Sequence, residues 1–262
     1  MEPTDGPTDG PTDEPTDEPT DLVLRPATRE DLPAIADLYV EVREAAVPAM
    51  PPQIHTVDEV HSYVGGWDLG KREVWLAEVD GEPVAFMVVA GSWLDSLYVR
   101  PGQARQGVGS ALLDVAKSLR PAGFCLWVFE SNIPAREFYL RRGLVDLERT
   151  DGSGNEEKAP DLRMAWPGTE PLVFYRSLID SVDAELGELL NRRAALTAAV
   201  QLHKGSTERD LGREREIARA LATRAPILGE ERAARIVHAI ITESLDAAER
   251  LDVSQEPPRV MP

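Results

Sequence analysis

Between Leu22 and Trp166 the apolar residues switch repeatedly between a spacing of two and a spacing near 3.6. LVLRPA predicts a short strand. TREDLPAIADLYVEVREA follows, with Thr28 as a cap, acids in the first turn, and Leu32, Ile35, Leu38, Tyr39 and Val42 on one helical stripe. EVWLAEVDGEPVAFMVVAG predicts two strands around Asp80-Gly81, a pair that tolerates the positive φ of a tight hairpin turn. SWLDSLYVR is another strand, followed by a glycine-rich turn and the helix GSALLDVAKSL. FCLWVFE then predicts a strand, IPAREFYLRRG a helix stopped at Gly143, and LVDLERT and DLRMAW two more strands around the polar loop DGSGNEEKAP.

At Pro167-Gly168 the strand signal stops and three helices are predicted. The first, at 171–204, carries Phe174, Leu178, Val182, Leu186, Leu189, Leu196 and Val200 at helical steps. It would span about 50 Å, too long for one small domain to bury, so a partner helix from a second subunit is expected. The others run over about 210–224, stopping before Pro226, and about 229–251. The organisation expected is therefore a tail at 1–21, an α/β-patterned domain at 22–166, a PGTEP linker at 167–171, a helical domain at 172–251, and a disordered tail at 252–262. Five PTD repeats fill the first tail; proline at every fourth position excludes a helix, and almost nothing there is apolar, so an extended solvated segment is expected.

Charge narrows the function classes. The net charge is −18, of which the first 21 residues supply −8 through eight acids and no Lys or Arg. The remainder is mildly acidic without a basic stripe, so a nucleic-acid partner is not expected. Cys125, the single cysteine, can form neither an internal disulfide nor a metal cluster and reads as a buried, inert thiol. His55 and His61 are six apart, off helical metal-ligand spacing, and read as surface; no metal is expected. No run approaches about 18 apolar residues and the N-terminus is acidic, so a soluble cytoplasmic protein with no membrane partner is expected.

The first chemical motif is YVRPGQARQGVGSALL. A strand enters a loop with Gly107 and Gly109, and a helix starts at once. Amides in such a loop point outward and the helix N-terminus is partly positive, which suits a pyrophosphate. Asn132 then opens NIPAREFYLRRGL. The strand ending in VRP, the turn RQGVG and N-x-x-A-x-x-F-Y-x-R-x-G, in that order, resemble the GCN5-related N-acetyltransferase (GNAT) family over about residues 22–166. The resemblance implies an α+β acyl-CoA N-acyltransferase fold with acetyl-CoA as cosubstrate. It implies that Arg105, Gln106, Gly107, Val108, Gly109 and Ser110 hold the pyrophosphate. It further implies that the backbone of Leu97 to Val99 pairs with the pantetheine arm, that Asn132 adds a contact, and that Tyr139 protonates the leaving thiolate. The attacking amine must be neutral, and Asp95 and Glu130 are candidate bases, directly or through water. One departure is Ala104, where the family often has Gln or Arg. QIHTVDEVHSYVGGWDLG is expected to line the acceptor side, and the acceptor amine itself is not legible.

The second motif is cationic. Arg176, Arg193 and Lys204 interrupt the apolar stripe of the long helix, where basic groups cost several kcal/mol unless an anion or acid meets them. The octet RDLGRERE follows at Arg209 to Glu216. R-S-L-I-D-S-V-D, L-L-N-R-R, Lys204 and D-x-x-R-E at Asp210, Arg213 and Glu214 together resemble the all-helical type II chorismate mutase family over about residues 172–251. The resemblance implies an all-α three-helix fold and a homodimer through the long first helix. It implies that Arg193, Lys204 and Arg213 bind the carboxylates of chorismate, with Arg176 entering from the second subunit. Lys204 would also donate to the ether oxygen, Glu214 would accept from the ring hydroxyl beside the backbone near Asp210, and Ser244 is a small polar pocket residue. Arg209, Arg215 and Glu216 are left as a solvated face. The chain departs from the family at Ala248, where Gln or Glu usually gives a second hydrogen bond to the ether oxygen. Loss of such a donor costs about 10²–10³ in rate, and Glu249 is rotated about 100° away.

The expected function is therefore twofold: acetyl transfer to an unidentified amine through Tyr139, and conversion of chorismate to prephenate through Arg193, Lys204 and Glu214. In the alternative, the helical module only dimerises, senses a chorismate-like acid, or eliminates pyruvate from isochorismate.

Overall fold

The computed structural model describes residues 21–204 and 209–253, with the side chains of Lys204 and of residues 249–253 excepted. The expectations for the PTD repeats before Asp21 and for the C-terminal end beyond Val253 lie outside the described residues, as do those for the side chains of Lys204 and Glu249. Two compact units meet between Phe174 and Tyr175.

The first unit is built on one seven-stranded sheet. Its strands are β1 (Leu22–Pro26), β2 (Glu73–Val79), β3 (Glu82–Ala90), β4 (Trp93–Val99), β5 (Phe124–Phe129), β6 (Val145–Arg149) and β7 (Asp161–Trp166), in the order β1-β2-β3-β4-β5-β7-β6. All neighbours are antiparallel except β4 and β5. Helices α1 (Leu32–Ala45) and α2 (Val57–Gly65) cover one face; α3 (Val108–Leu119) packs on the other with α4 (Ile133–Arg141). This double cover explains why β3 reads as an almost unbroken apolar run: Val84 to Val89 are all buried, and from Ala85 to Val89 they alternate between the two cores. Asp80 and Gly81 both take positive φ (53° and 82°), as the right-handed twist of the β2–β3 hairpin requires. The helical pattern after Thr28 opens as a 3₁₀ turn at Arg29–Asp31, with α1 starting at Leu32. Pro33 has no N–H to give the Arg29 carbonyl, so the α-ladder starts after that turn.

The second unit is all helix: α5 (Pro171–Lys204), α6 (Leu211–Arg224) and α7 (Gly229–Val253). Residues 171–174 of α5 belong to the first unit. In the second, the buried residues among those described are Ala218, Ala233, Val237, Ser244 and Ala248. That is a thin core. Ile179, Val182, Leu186, Leu189, Leu196 and Val200 of α5 are all exposed, so most of the helix's apolar stripe is not covered by the described residues of this unit.

Gly123 fixes the seam where Phe174 joins the sheet. Its φ is +111°, and an added Cβ would lie 2.5 Å from the Phe174 ring and 2.8 Å from the Trp166 carbonyl oxygen. Left-handed strain and overpacking each cost about 1–3 kcal/mol. Gly123→Ala is accordingly expected to lower the melting point of the first unit by several degrees, with a loss of about 2–4 kcal/mol. Gly65→Ala, which meets no atom within 4 Å, should stay within about 0.5 kcal/mol in the same thermal unfolding experiment.

Candidate functional sites

β4 and β5 are joined at one register pair, Trp93↔Cys125, and then diverge. Beyond it the β5-facing edge of β4 has no ladder partner, while its other edge is held by β3 as far as Val99. A bulge sharpens the divergence: Val88 faces Ser96 and Val89 faces Leu94, so Asp95 is the extra residue. Bulges of this kind bend a strand and re-aim a side chain. The result is a cleft of about 780 Å³ whose walls include Leu94–Val99, Leu126–Phe129, Asn132 and Tyr139.

At one end of β4 the chain enters the loop Arg100 to Gly107. Arg105 and Gly107 both have positive φ (70° and 87°), and Gly107 caps α3 in the left-handed conformation. Gln103 and Ala104 donate to Arg100 and Pro101, but the six amides from Arg105 to Ser110 have no hydrogen-bond acceptor among the described residues. A run of free amides at the start of a helix is a concave anion seat. Gln106 folds back, its Nε2 donating to the Gly102 carbonyl (3.1 Å). Val108 is buried and anchors the turn, and the Ser110 hydroxyl accepts from Arg142, whose guanidinium stacks 4.1 Å from the Phe138 ring centroid. A Cβ at Gly109 would stand 3.4 Å from Val99 Cγ2, an ordinary contact.

Asn132 is the N-cap of α4, accepting from the Ala135 amide at 3.2 Å. One helix long, that cap carries Tyr139 into the cleft wall, 8% exposed, with no hydrogen-bond partner for its hydroxyl among the described residues. Burial pushes the Tyr139 phenol well above its usual range, so it stays protonated. Asp95 is also on the wall; burial raises its carboxyl, opposed by Arg72 at 3.2 Å. Glu130, the other candidate base, is not on the wall and pairs with Arg149 at 2.6 Å.

Among the lining residues that sequence reasoning did not place in the site, two carboxylates and an indole carry chemistry. Glu157 and Asp161 come from the β6–β7 loop and the start of β7, and Trp127 from β5. Behind Glu157 stands Arg43 of α1, its side chain 3% exposed, donating through Nη2 to Glu157 Oε1 at 2.8 Å. A signal for Arg43 was present: it lies seven residues past Ala36 and eight past Ile35, on the inward stripe of α1. His55, exposed and not among the lining residues, pairs with Glu156 at 2.8 Å, which raises the imidazole above its ordinary value. Cys125 is buried, as read, and receives a hydrogen bond from Arg163 at 3.4 Å. Among the described residues no helix is long and apolar enough to cross a membrane, and no group of three or more His, Cys, Asp or Glu is placed to hold a metal.

The second unit has a cavity of about 600 Å³ between α5, α6 and α7. Arg193 and Arg213 line it, with Glu216 and Arg224, against Leu186, Leu190, Val237 and Ile240. Arg193 donates to Ser244 Oγ at 2.6 Å and to the Ile240 carbonyl at 3.3 Å. Arg176 is exposed near the start of α5 and is not on this wall. Ala248 lies one turn past Ser244 and is buried.

The octet RDLGRERE divides differently from the sequence expectation. Asp210 is the N-cap of α6, accepting from the Arg213 amide at 2.9 Å. Arg209 is half-buried and paired: it grips Glu214 with two bonds (2.7 and 3.0 Å), donates to Thr242 at 2.8 Å and approaches His238 at 3.1 Å. Arg209 holds the Glu214 carboxyl below the usual range. Glu214 therefore faces α7 and is absent from the wall that Arg193 and Arg213 share, while Glu216 is on that wall, 3.2 Å from Arg213. The reason is the helical repeat: two residues turn the side chain by about 200°, so 214 and 216 lie on opposite sides of α6.

Comparison with known proteins matches residues 70–144 to the acetyltransferase (GNAT) domain family and residues 175–249 to the type II chorismate mutase family. The peptidyl-lysine N-acetyltransferase YiaC of Escherichia coli is 29% identical over 153 residues, covering 57% of this chain and 100% of that protein. The peptidyl-lysine N-acetyltransferase YjaB of Salmonella typhimurium is 32% identical over 100 residues, 38% of this chain and 68% of that protein. The solution structure of apo YjaB from Escherichia coli aligns over 56% of this chain and 99% of that one, with a TM-score of 0.47 and 23% identity. The chain belongs to the GCN5-related N-acetyltransferase family and carries a type II chorismate mutase domain behind its acetyltransferase domain.

Proposed function

We propose that the first unit is an acetyl-CoA-dependent N-acetyltransferase of an amine. The observation that carries this reading is the run of six free amides from Arg105 to Ser110 beside a strand edge left unpaired from Leu94 to Val99. The amides suit the pyrophosphate of CoA, and the open edge of β4 offers backbone groups to the amide-rich pantetheine arm. Bound acetyl-CoA supplies the thioester acyl group that a neutral amine attacks. Asp95, lifted by burial, is suited to take the amine's proton, directly or through water. Tyr139, buried and still protonated, is suited to return a proton to the departing sulfur. The lysine side chain named in the peptidyl-lysine acetyltransferase relatives is the first acceptor to test.

For the second unit we propose a dimeric chorismate mutase that converts chorismate to prephenate. Arg193 and Arg213 on one wall supply guanidinium forks for carboxylates, and Ser244 orients Arg193. Lys204 and Arg176 complete the set in this reading, Arg176 from the second subunit. The exposed apolar stripe of α5 supports the dimer. Such a rearrangement needs no covalent step, only a folded substrate conformer and charge placed where it develops. Two observations favour a second reading, in which the module binds a chorismate-like dicarboxylate without rearranging it. Ala248 offers no donor, and Glu214 is held by Arg209.

For the acetyltransferase, Gly109→Trp is expected to weaken acetyl-CoA binding at least about 10²-fold by calorimetry, since the indole would crowd Val99 and Phe138 and displace the turn that holds the free amides. Gly109→Ala should bind nearly as the parent, because its Cβ meets Val99 at an ordinary distance. Equal binding by both variants would remove the seat from the site. Tyr139→Phe should lower kcat about 10²-fold with acetyl-CoA affinity unchanged, and full activity would take Tyr139 out of the mechanism. For the helical unit, the full-length chain should consume chorismate, followed by its absorbance. Ala248→Gln should raise that rate by about 10² if the absent donor limits it. Saturable chorismate binding without turnover in either protein supports the second reading instead.

A further inference from the structure

The lining of the acetyltransferase cleft has a one-sided charge. Among its lining side chains are three carboxylates, Asp95, Glu157 and Asp161, and no Lys, Arg or His. The cations that pair with two of them, Arg72 and Arg43, are absent from the wall. Each such pair therefore presents its negative end to the cleft. Asp161 is 9% exposed and is held by neutral groups, Thr150 Oγ1 and Asn155 Nδ2, with no ion pair among the described residues. Glu157 engages Arg43 through Oε1, and its Oε2 has no partner among the described residues. Trp127 adds an indole to the lining and stacks with Trp93 at 6.3 Å between centroids. Carboxylates and an aromatic face, with no cation among them, are the surroundings that favour ammonium groups.

A single reacting amine uses one carboxylate, and it must give up its charge before it attacks. Glu157 and Asp161 are then left for the rest of the molecule: Glu157 keeps Arg43 as its counter-ion but has Oε2 without a partner among the described residues, and Asp161 is held by neutral groups alone, so a lasting positive charge on the bound molecule would find two acceptors. Arg43 explains how Glu157 keeps its aim. It is almost fully buried against Phe129, 5.6 Å from the ring centroid, and reaches Glu157 across the fold from α1.

We propose, resting on the acetyltransferase reading above, that the acceptor is an amine bearing a second positive charge, bound at Glu157 and Asp161 while Asp95 serves the reacting nitrogen, with Arg43 as the positioning residue for Glu157. The dication has two sources, a small aliphatic diamine or a lysine side chain beside another basic residue in a peptide.

The full-length protein decides this with matched pairs of acceptors: 1,5-diaminopentane against 1-aminopentane, and a lysine peptide flanked by arginine against the same peptide flanked by alanine. In at least one pair the dicationic member is expected to have kcat/KM higher by about tenfold or more, and the pair that shows it names the source. The preference should shrink as ionic strength rises from about 0.02 M to about 0.5 M. Glu157→Gln should cost the dicationic acceptor about tenfold more than its monocationic partner, and Arg43→Met should raise KM for the dication with a smaller change in kcat. Arg43→Lys should recover part of that loss, which a mere packing defect would not. Melting points and acetyl-CoA affinity of each variant separate misfolding from a lost contact. Intact acetyl-CoA binding with equal rates inside both pairs, or with no transfer to any of the four acceptors, overturns the dication proposal and leaves the cosubstrate site standing. Loss of acetyl-CoA binding by the parent protein overturns both.

Discussion

The parting of β4 from β5 is the constraint on which the first unit turns. One register pair at Trp93 and Cys125 holds the two halves of the sheet together, and every later peptide of β4 is free on that side. In a closed sheet those N–H and C=O groups would be satisfied by a neighbouring strand; here they form the wall of a cleft. The helices follow from the same opening. α3 begins where β4 ends and α4 begins just beyond β5, so both helix N-termini stand at the same end of the diverging strands. Anion seat, open edge and buried phenol are consequences of one interrupted ladder.

Much of this was legible in the residues. The hairpin at Asp80-Gly81, the RQGVG turn and the Asn132 cap each depend on local chemistry that a few adjacent residues carry. What could not be read was register. Nothing in SWLDSLYVR announces that Asp95 is a bulge residue, because a bulge is a property of the pairing with Val88 and Val89. Glu157 was hidden for a similar reason: DGSGNEEKAP has three carboxylates, and only the fold selects one to meet a guanidinium from α1, over a hundred residues earlier. Arg43 was the exception, a charge on an apolar stripe whose meaning went unread.

The helical unit shows the opposite balance. Its elements follow from periodicity almost residue for residue, since helices are local objects. Its site does not. RDLGRERE offers several plausible inward sets, and the choice is made by contacts with α7: Arg209 finds Glu214, Thr242 and His238 together. With small residues at its centre and leucines outside, this unit has its stabilising surface still to bury.

Phe174 sets where the first unit ends. It belongs to the long helix in sequence but to the sheet in packing: its ring lies over Gly123, and it is 6% exposed. A chain cut at the PGTEP segment would leave that patch bare, so the smallest self-sufficient acetyltransferase unit ends after Phe174 and carries the first turn of the long helix with it.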